Sequence, residues 1–207
     1  NADLTSGVDI SQIKKLRENR GASLLGIQKS GPLDIPGVLA RTWMAMPANP
    51  NAQRNSGVLK PFLNGDDVTG RSRDQWLIDF PHGLRESEAA LYQAPFEYLS
   101  QAPYDPDNPQ ESLTLKATRA EARDDHAREF WWEPYWPRPE MRRQIEAMDR
   151  YLVTPETAEH RIFTWLRYPV LPDKNLIIIA RADDVTFGIL HSRVHEVWST
   201  RIGNRMG

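Results

Sequence analysis

The chain has no cysteine among its 207 residues, which excludes disulfides, thiolate nucleophiles and zinc sites built from thiolates. No stretch reaches the ~20 consecutive apolar residues of a membrane-spanning helix, and the N-terminal residues lack the charged-then-apolar pattern of a secretory signal. A reducing, cytoplasmic setting is the resulting expectation. The motifs of common catalytic folds are missing as well. There is no Gly-x-Ser-x-Gly elbow, no phosphate-cradling glycine-rich loop and no Gly-x-Gly nucleotide turn. No Pro-Pro dipeptide occurs, so the Asp/Asn-Pro-Pro-Tyr/Phe motif of amino-methylating DNA methyltransferases is absent. Neither Glu-x-Lys nor Asp-x-Lys is found, against the common metal-dependent nuclease core. Together these absences argue that the chain carries no catalytic centre of its own.

What is present suits a sizeable core: 40% of residues are hydrophobic and seven are tryptophan, enough for one domain with a satellite subdomain. A net charge of −2 excludes a globally basic surface, yet the sign is unevenly spread. Residues 1–67 hold eight basic and six acidic side chains, 68–137 seven and thirteen, and 138–207 eleven and nine. Both flanks therefore lean positive around an acidic middle. Twenty of the 26 basic residues are arginine, whose planar fork suits phosphate and guanine; codon usage is the alternative account.

Hydrophobic periodicity predicts a mixed architecture. A short helix opens at Asp9, a strand covers 23–28, and a short helix covers 35–45. Residues 46–56 read as a polar loop. A strand over 58–63 contains Pro61 and belongs at a sheet edge, Asn64 to Asp67 is a turn, and 75–80 is a strand. Helices follow from Ser87, over 113–132 and over 138–148. Strands are expected at 150–153, 161–166, 175–181 and 185–190, with a last helix over 192–201. No regular βαβ alternation appears, so the class is α+β, a mixed or antiparallel sheet with flanking helices. Residues 3–207 are expected to form one unit cut from a larger chain, Asn1-Ala2 being set aside as a remnant of tag cleavage.

The stretch Phe187 to Trp198 is the most informative. It reads as a strand turning directly into a helix, with Ser192, Arg193 and His195 at the helix start, where free N–H groups and the macrodipole attract phosphate. His191 and His195 stand at i, i+4, a spacing that can hold zinc; packing, capping or contact with phosphate is the favoured role, and no metal site is expected. Asp124-Asp125-His126 could be a ligand cluster, with the solvated face of a charged helix as the preferred reading, and Asp183-Asp184 reads as a hairpin turn. Trp131 and Trp132, with Tyr135 and Trp136, could stack on unpaired bases; a place in the core is the preferred reading.

The segments Val58 to Asp66, Gln75 to Phe80, Glu88 to Tyr92, Phe130-Trp131-Trp132, Arg150 to Pro155, His160 to Phe163 and Phe187 to Trp198 follow one another in an order that resembles one known family. This is the target-recognition domain of large single-chain adenine-specific DNA methyltransferases, including the fused restriction–modification enzymes called type IIG or IIL. The resemblance spans roughly residues 20–207. It implies double-stranded DNA as partner and a methyltransferase domain upstream in the same parent chain. S-adenosylmethionine would then be the parent's cofactor, with none bound by this chain.

Specific DNA binding needs phosphate contacts for register and side chains that reach base edges. Bidentate arginine–guanine and asparagine–adenine pairs each contribute ~1–3 kcal/mol of discrimination. Arg201, Asn204 and Arg205, in the region after the last helix starts and expected on a loop, supply both types. The loop with Gln53, Arg54 and Asn55 is a second source, Asn64 with Arg71 and Arg73 a third. Lys60, His160 and Arg161 are candidate phosphate contacts. A protein-interaction module presenting the tryptophans, and a metal-assisted hydrolase using His191 and His195, are the alternatives.

Overall fold

The apolar segments assemble into two four-stranded sheets that share a seam. The computed structural model describes residues 17–158 and 160–202, so the helix expected from Asp9 lies outside the described residues. In chain order the elements are β1 (Ser23–Leu25), β2 (Asp34–Pro36), α1 (Gly37–Ala45), β3 (Leu59–Leu63), α2 (Gly65–Thr69) and β4 (Gln75–Ile78). Then come α3 (Glu86–Ala89), α4 (Gln93–Gln101), α5 (Leu115–Ala120), α6 (Asp125–Glu129), α7 (Pro139–Glu146) and β5 (Tyr151–Pro155). The chain continues through β6 (Thr164–Leu166), β7 (Leu171–Pro172), β8 (Leu176–Ile179), α8 (Asp184–His191) and α9 (Arg193–Ile202).

One sheet has the order β1-β8-β5-β6 and is antiparallel throughout. The other has the order β2-β4-β3-β7, with β7 parallel to β3. The fold is therefore α+β, as the sequence predicts. Between β6 and β8 the chain crosses to the second sheet for β7 and returns, which locks the two sheets together. Four backbone bonds close the seam: Gly26 N–H to Leu176 O, Ile27 N–H to Pro172 O, Asp173 N–H to Leu63 O and Lys174 N–H to Ile27 O, at 2.7–3.2 Å. Gly26 is required here. A Cβ at that position would sit 2.0 Å from the carbonyl oxygen of Asp173.

The core runs through both sheets, from Ile27, Leu33 and Ile35 through Leu77 and Ile78 to Val153 and Ile178. Trp131 and Trp132 are buried in it, against Phe96 and each other, which settles their role as core residues. Tyr151 is buried too and donates to Val170 O at 2.6 Å; burial raises its pKa.

Several expectations need correction. Pro61 lies on an inner strand, tolerated because β7 reaches only Phe62 and Leu63. The 64–67 turn is the start of α2, where Asn64 accepts from Asp66 N and Asp67 N and Asp67 bonds back to Asn64 N. This reciprocal cap satisfies donors that the first helical turn leaves open. The helix expected over 113–132 is two short ones, the second capped by Asp124. Residues 185–190 are not a strand: Asp183 caps α8 by accepting from Thr186 N at 2.7 Å, so the Asp183-Asp184 pair starts a helix. Among the described residues no helix is long and apolar enough to cross a membrane.

Candidate functional site

The seam between the sheets forms the floor of a polar groove. Two adjoining depressions of about 450 and 390 Å³ share Asn64 and Asn175 in their walls. The first continues past Asp66 and Thr69 to Thr157 and His160; the second past Gln28, Lys29 and Ser30 to Arg73 and Lys174. Amide groups able to pair with base edges, cations able to meet phosphate and the carboxylates Asp34, Asp66 and Asp173 thus line one continuous surface. Asn64 uses its Oδ1 for the α2 cap, so its Nδ2 group is the part left to reach a ligand.

Charges in the groove are held in place. Lys29 Nζ lies 2.5 Å from Asp34. Arg73 pairs with Asp67 at 3.1 Å. Burial opposes the charge on Asp67, but Arg73 and the backbone N–H groups of Asn64 and Arg73 outweigh it and its pKa falls below the usual carboxylate range. Asp173 is the opposite case. Burial pushes its pKa up, against bonds from Asn175 N–H and Lys174 N–H and the nearby lysines. Lys174 and Asn175 are exposed at the rim.

Arg119 sets the shape of the Lys29 wall. Its guanidinium is buried, donates from Nη2 to Lys29 O at 2.8 Å and Ser30 O at 2.9 Å, and lies 5.1 Å from the Tyr135 ring centroid. Burial lowers its pKa. Ser30 has φ +46° and Gly31 φ +128°, a tight reversal that these two bonds brace.

Of the residues singled out in the sequence, the fold gathers Asn64, Arg73 and His160 in the groove. Lys60 stands half-buried on β3, its Nζ 5.8 Å from the Tyr168 ring centroid. Arg54 and Arg71 are exposed. Asn55 is a correction: it is 2% exposed, donates to Trp43 O at 3.1 Å and accepts from Asn49 Nδ2 at 2.8 Å. Its amide holds the loop to α1 and cannot read a base.

The C-terminal corner also differs from expectation. It joins two helices, and Ser192 works as a hinge cap: its Oγ donates to Ile189 O at 2.7 Å and accepts from His195 N at 3.2 Å. His195 is half-buried and its Nδ1 accepts from Arg161, so the tautomer protonated on Nε2 fits this contact. Burial and then the Arg161 charge lower its pKa. His191 Nδ1 faces Phe187 O at 3.0 Å. Both histidines are thus committed to local contacts. Arg193 is exposed at the start of α9. Arg201 lies on α9, whereas Asn204 and Arg205 fall outside the described residues. Helix α8 rests on its sheet by the stacking of Phe187 on Trp165, 5.4 Å between ring centroids. Outward, α8 and α9 expose Val185, Ile189, Val194 and Trp198.

Gln28, Lys29, Lys174 and Asn175 are groove residues that sequence reasoning missed. They flank the seam, and only the pairing of residues 26–28 with 172–176 brings them beside Asn64.

No family model and no curated protein matches the sequence. The fold, however, is similar to part of a solved structure, the type IIL restriction–modification enzyme MmeI in complex with DNA, with a TM-score of 0.61 and 15% sequence identity. The likeness covers 89% of this chain and 22% of that one, so the chain spans about a fifth of that structure's length. The architecture is thus one found in a restriction–modification enzyme.

Proposed function

We propose that residues 3–207 form a double-stranded DNA target-recognition domain of an adenine-specific DNA methyltransferase or restriction–modification enzyme. The reading rests on the shared fold with a restriction–modification enzyme solved on DNA. The seam groove supports it through its amides (Gln28, Asn64, Asn175) and through Lys174 at the rim. Lys29 and Arg73 also line it but are paired with Asp34 and Asp67, and Asp66 and Asp173 add carboxylates to the same walls. In this reading the chain positions the target, while methyl transfer and S-adenosylmethionine belong to the methyltransferase domain of the parent. Arg201, Asn204 and Arg205 remain proposed base or phosphate contacts.

A second role is compatible with the first. The exposed apolar residues of α8 and α9 favour a protein contact there, for which the methyltransferase domain of the same parent is the proposed partner.

The test is duplex binding by the purified chain at increasing salt. Each neutralised phosphate contributes a slope of ~0.9 in log K against log salt. A slope of several units and enrichment of one sequence from a random duplex pool are expected. Salt-independent binding, or no enrichment, overturns the reading.

A further inference from the structure

Outside the groove, three side chains from distant parts of the sequence converge on one point. Glu133 follows the buried Trp131-Trp132 pair and is only 1% exposed. Its Oε2 lies 2.8 Å from His82 Nδ1 and 3.0 Å from His126 Nε2. Its Oε1 accepts from Gly83 N–H at 2.6 Å, which fixes the carboxylate plane. The two imidazoles face each other at 4.8 Å between centroids, and Phe130 stacks on His126 at 4.7 Å.

We infer that His82, His126 and Glu133 form a binding site for a divalent transition-metal ion of the zinc class. The donor set decides the class: two imidazoles and one carboxylate suit zinc and its neighbours, whereas magnesium and calcium prefer oxygen alone. The three ligand atoms lie within 4.8 Å of one another. Tetrahedral zinc with bonds of ~2.1 Å needs ligand atoms about 3.4 Å apart. At 2.8 and 3.0 Å from Oε2 the two imidazole nitrogens stand near that spacing, and binding would require the rings to reorient about the fixed carboxylate. His82 is the exposed member, so the fourth position opens to solvent and takes water.

A buried carboxylate needs compensating charge, and a dication supplies it. The Gly83 N–H to Glu133 bond serves as the outer support that orients a metal-binding carboxylate. The ion ties the loop after β4 to α6 and to the tryptophan pair beneath it, joining residues 51 positions apart in sequence at one point. Its role is structural, and it stands independently of the DNA reading.

The experiment uses the untagged 207-residue chain after chelator treatment. Zinc titration by calorimetry should give one site per chain. Zinc but not magnesium should raise the Tm, and X-ray absorption of the zinc form should show two imidazole nitrogens and a carboxylate oxygen at ~2.0–2.2 Å. His82→Ala removes an exposed ligand, should fold normally by circular dichroism, and should weaken zinc binding by about a hundredfold. His160→Ala, a histidine elsewhere, should leave binding unchanged. Zinc binding that survives His82→Ala and His126→Ala undiminished overturns the proposal. So does a wild-type chain that takes up no zinc, which would leave these three residues as a hydrogen-bonded network alone.

Discussion

Asp79 and Arg142 meet in a two-pronged ion pair, Nη1 to Oδ2 and Nη2 to Oδ1 both at 2.7 Å, with the carboxylate buried. The pair joins the end of β4 to α7 across 63 positions of sequence. Removing one partner of a buried pair leaves an uncompensated charge, which costs ~3–5 kcal/mol. Arg142→Ala should therefore lower unfolding stability by about that amount in chemical denaturation. The double change Asp79→Leu with Arg142→Met should recover most of the loss, since it removes both charges. Equal losses for single and double variants would contradict this account.

The seam makes a second prediction. Gly26→Ala places a Cβ against backbone oxygens of Asp173 and Pro172 that cannot swing away. The strands must separate, so a loss of about 3 kcal/mol is expected, with reduced DNA binding in parallel. Gly57→Ala is the control, since the nearest atom to its Cβ is 3.9 Å away. It should be nearly neutral by the same denaturation assay.

Acid should loosen the C-terminal helices through His195. Its folded-state pKa is depressed by burial and by Arg161, so the unfolded chain takes the proton first as pH falls. Stability is fully present above the ordinary histidine pKa of ~6.5 and is lost as pH drops toward the folded value. By NMR the His195 ring should titrate below the ordinary value. In Arg161→Leu the midpoint should move up while staying below that value, because burial remains. A midpoint unmoved by Arg161→Leu would remove the guanidinium from the explanation.

The groove residues should divide by chemistry. Lys174→Ala should reduce the salt slope of duplex binding by about one and leave sequence choice intact. Asn175→Ala should relax choice at one base position, with a loss of ~1–3 kcal/mol for the preferred base. Asn55→Ala, by contrast, should lower stability without altering sequence choice, because its amide is consumed inside the protein. Quantitative binding to a panel of single-base variants separates these outcomes.

Much of the fold can be read from local pattern. The runs that became β3, β4, β5 and β8 announce themselves as short apolar stretches bounded by turn residues, and the tryptophan pair by its bulk. Two of the errors share one cause, a helix start that was not recognised. The run Val185 to Leu190 is apolar enough for a strand or a helix, and its period alone cannot decide between them. The deciding signal was the cap: Asp183 is placed to accept from Thr186 N. Asn64 with Asp67 three residues on was the same kind of signal.

The composition alone settled which chemistry is impossible without thiols, whatever the order of the residues. The spacing of apolar runs and turn residues settled that strands and helices mix, because that pattern depends on residues near one another in sequence. Tertiary structure decided the functional surfaces. Gln28 beside Asn175, and His82 beside Glu133, are neighbours only because the sheet seam and the core packing close loops of many residues. Convergence of that kind is set by global packing free energy, which leaves no periodic trace in the chain.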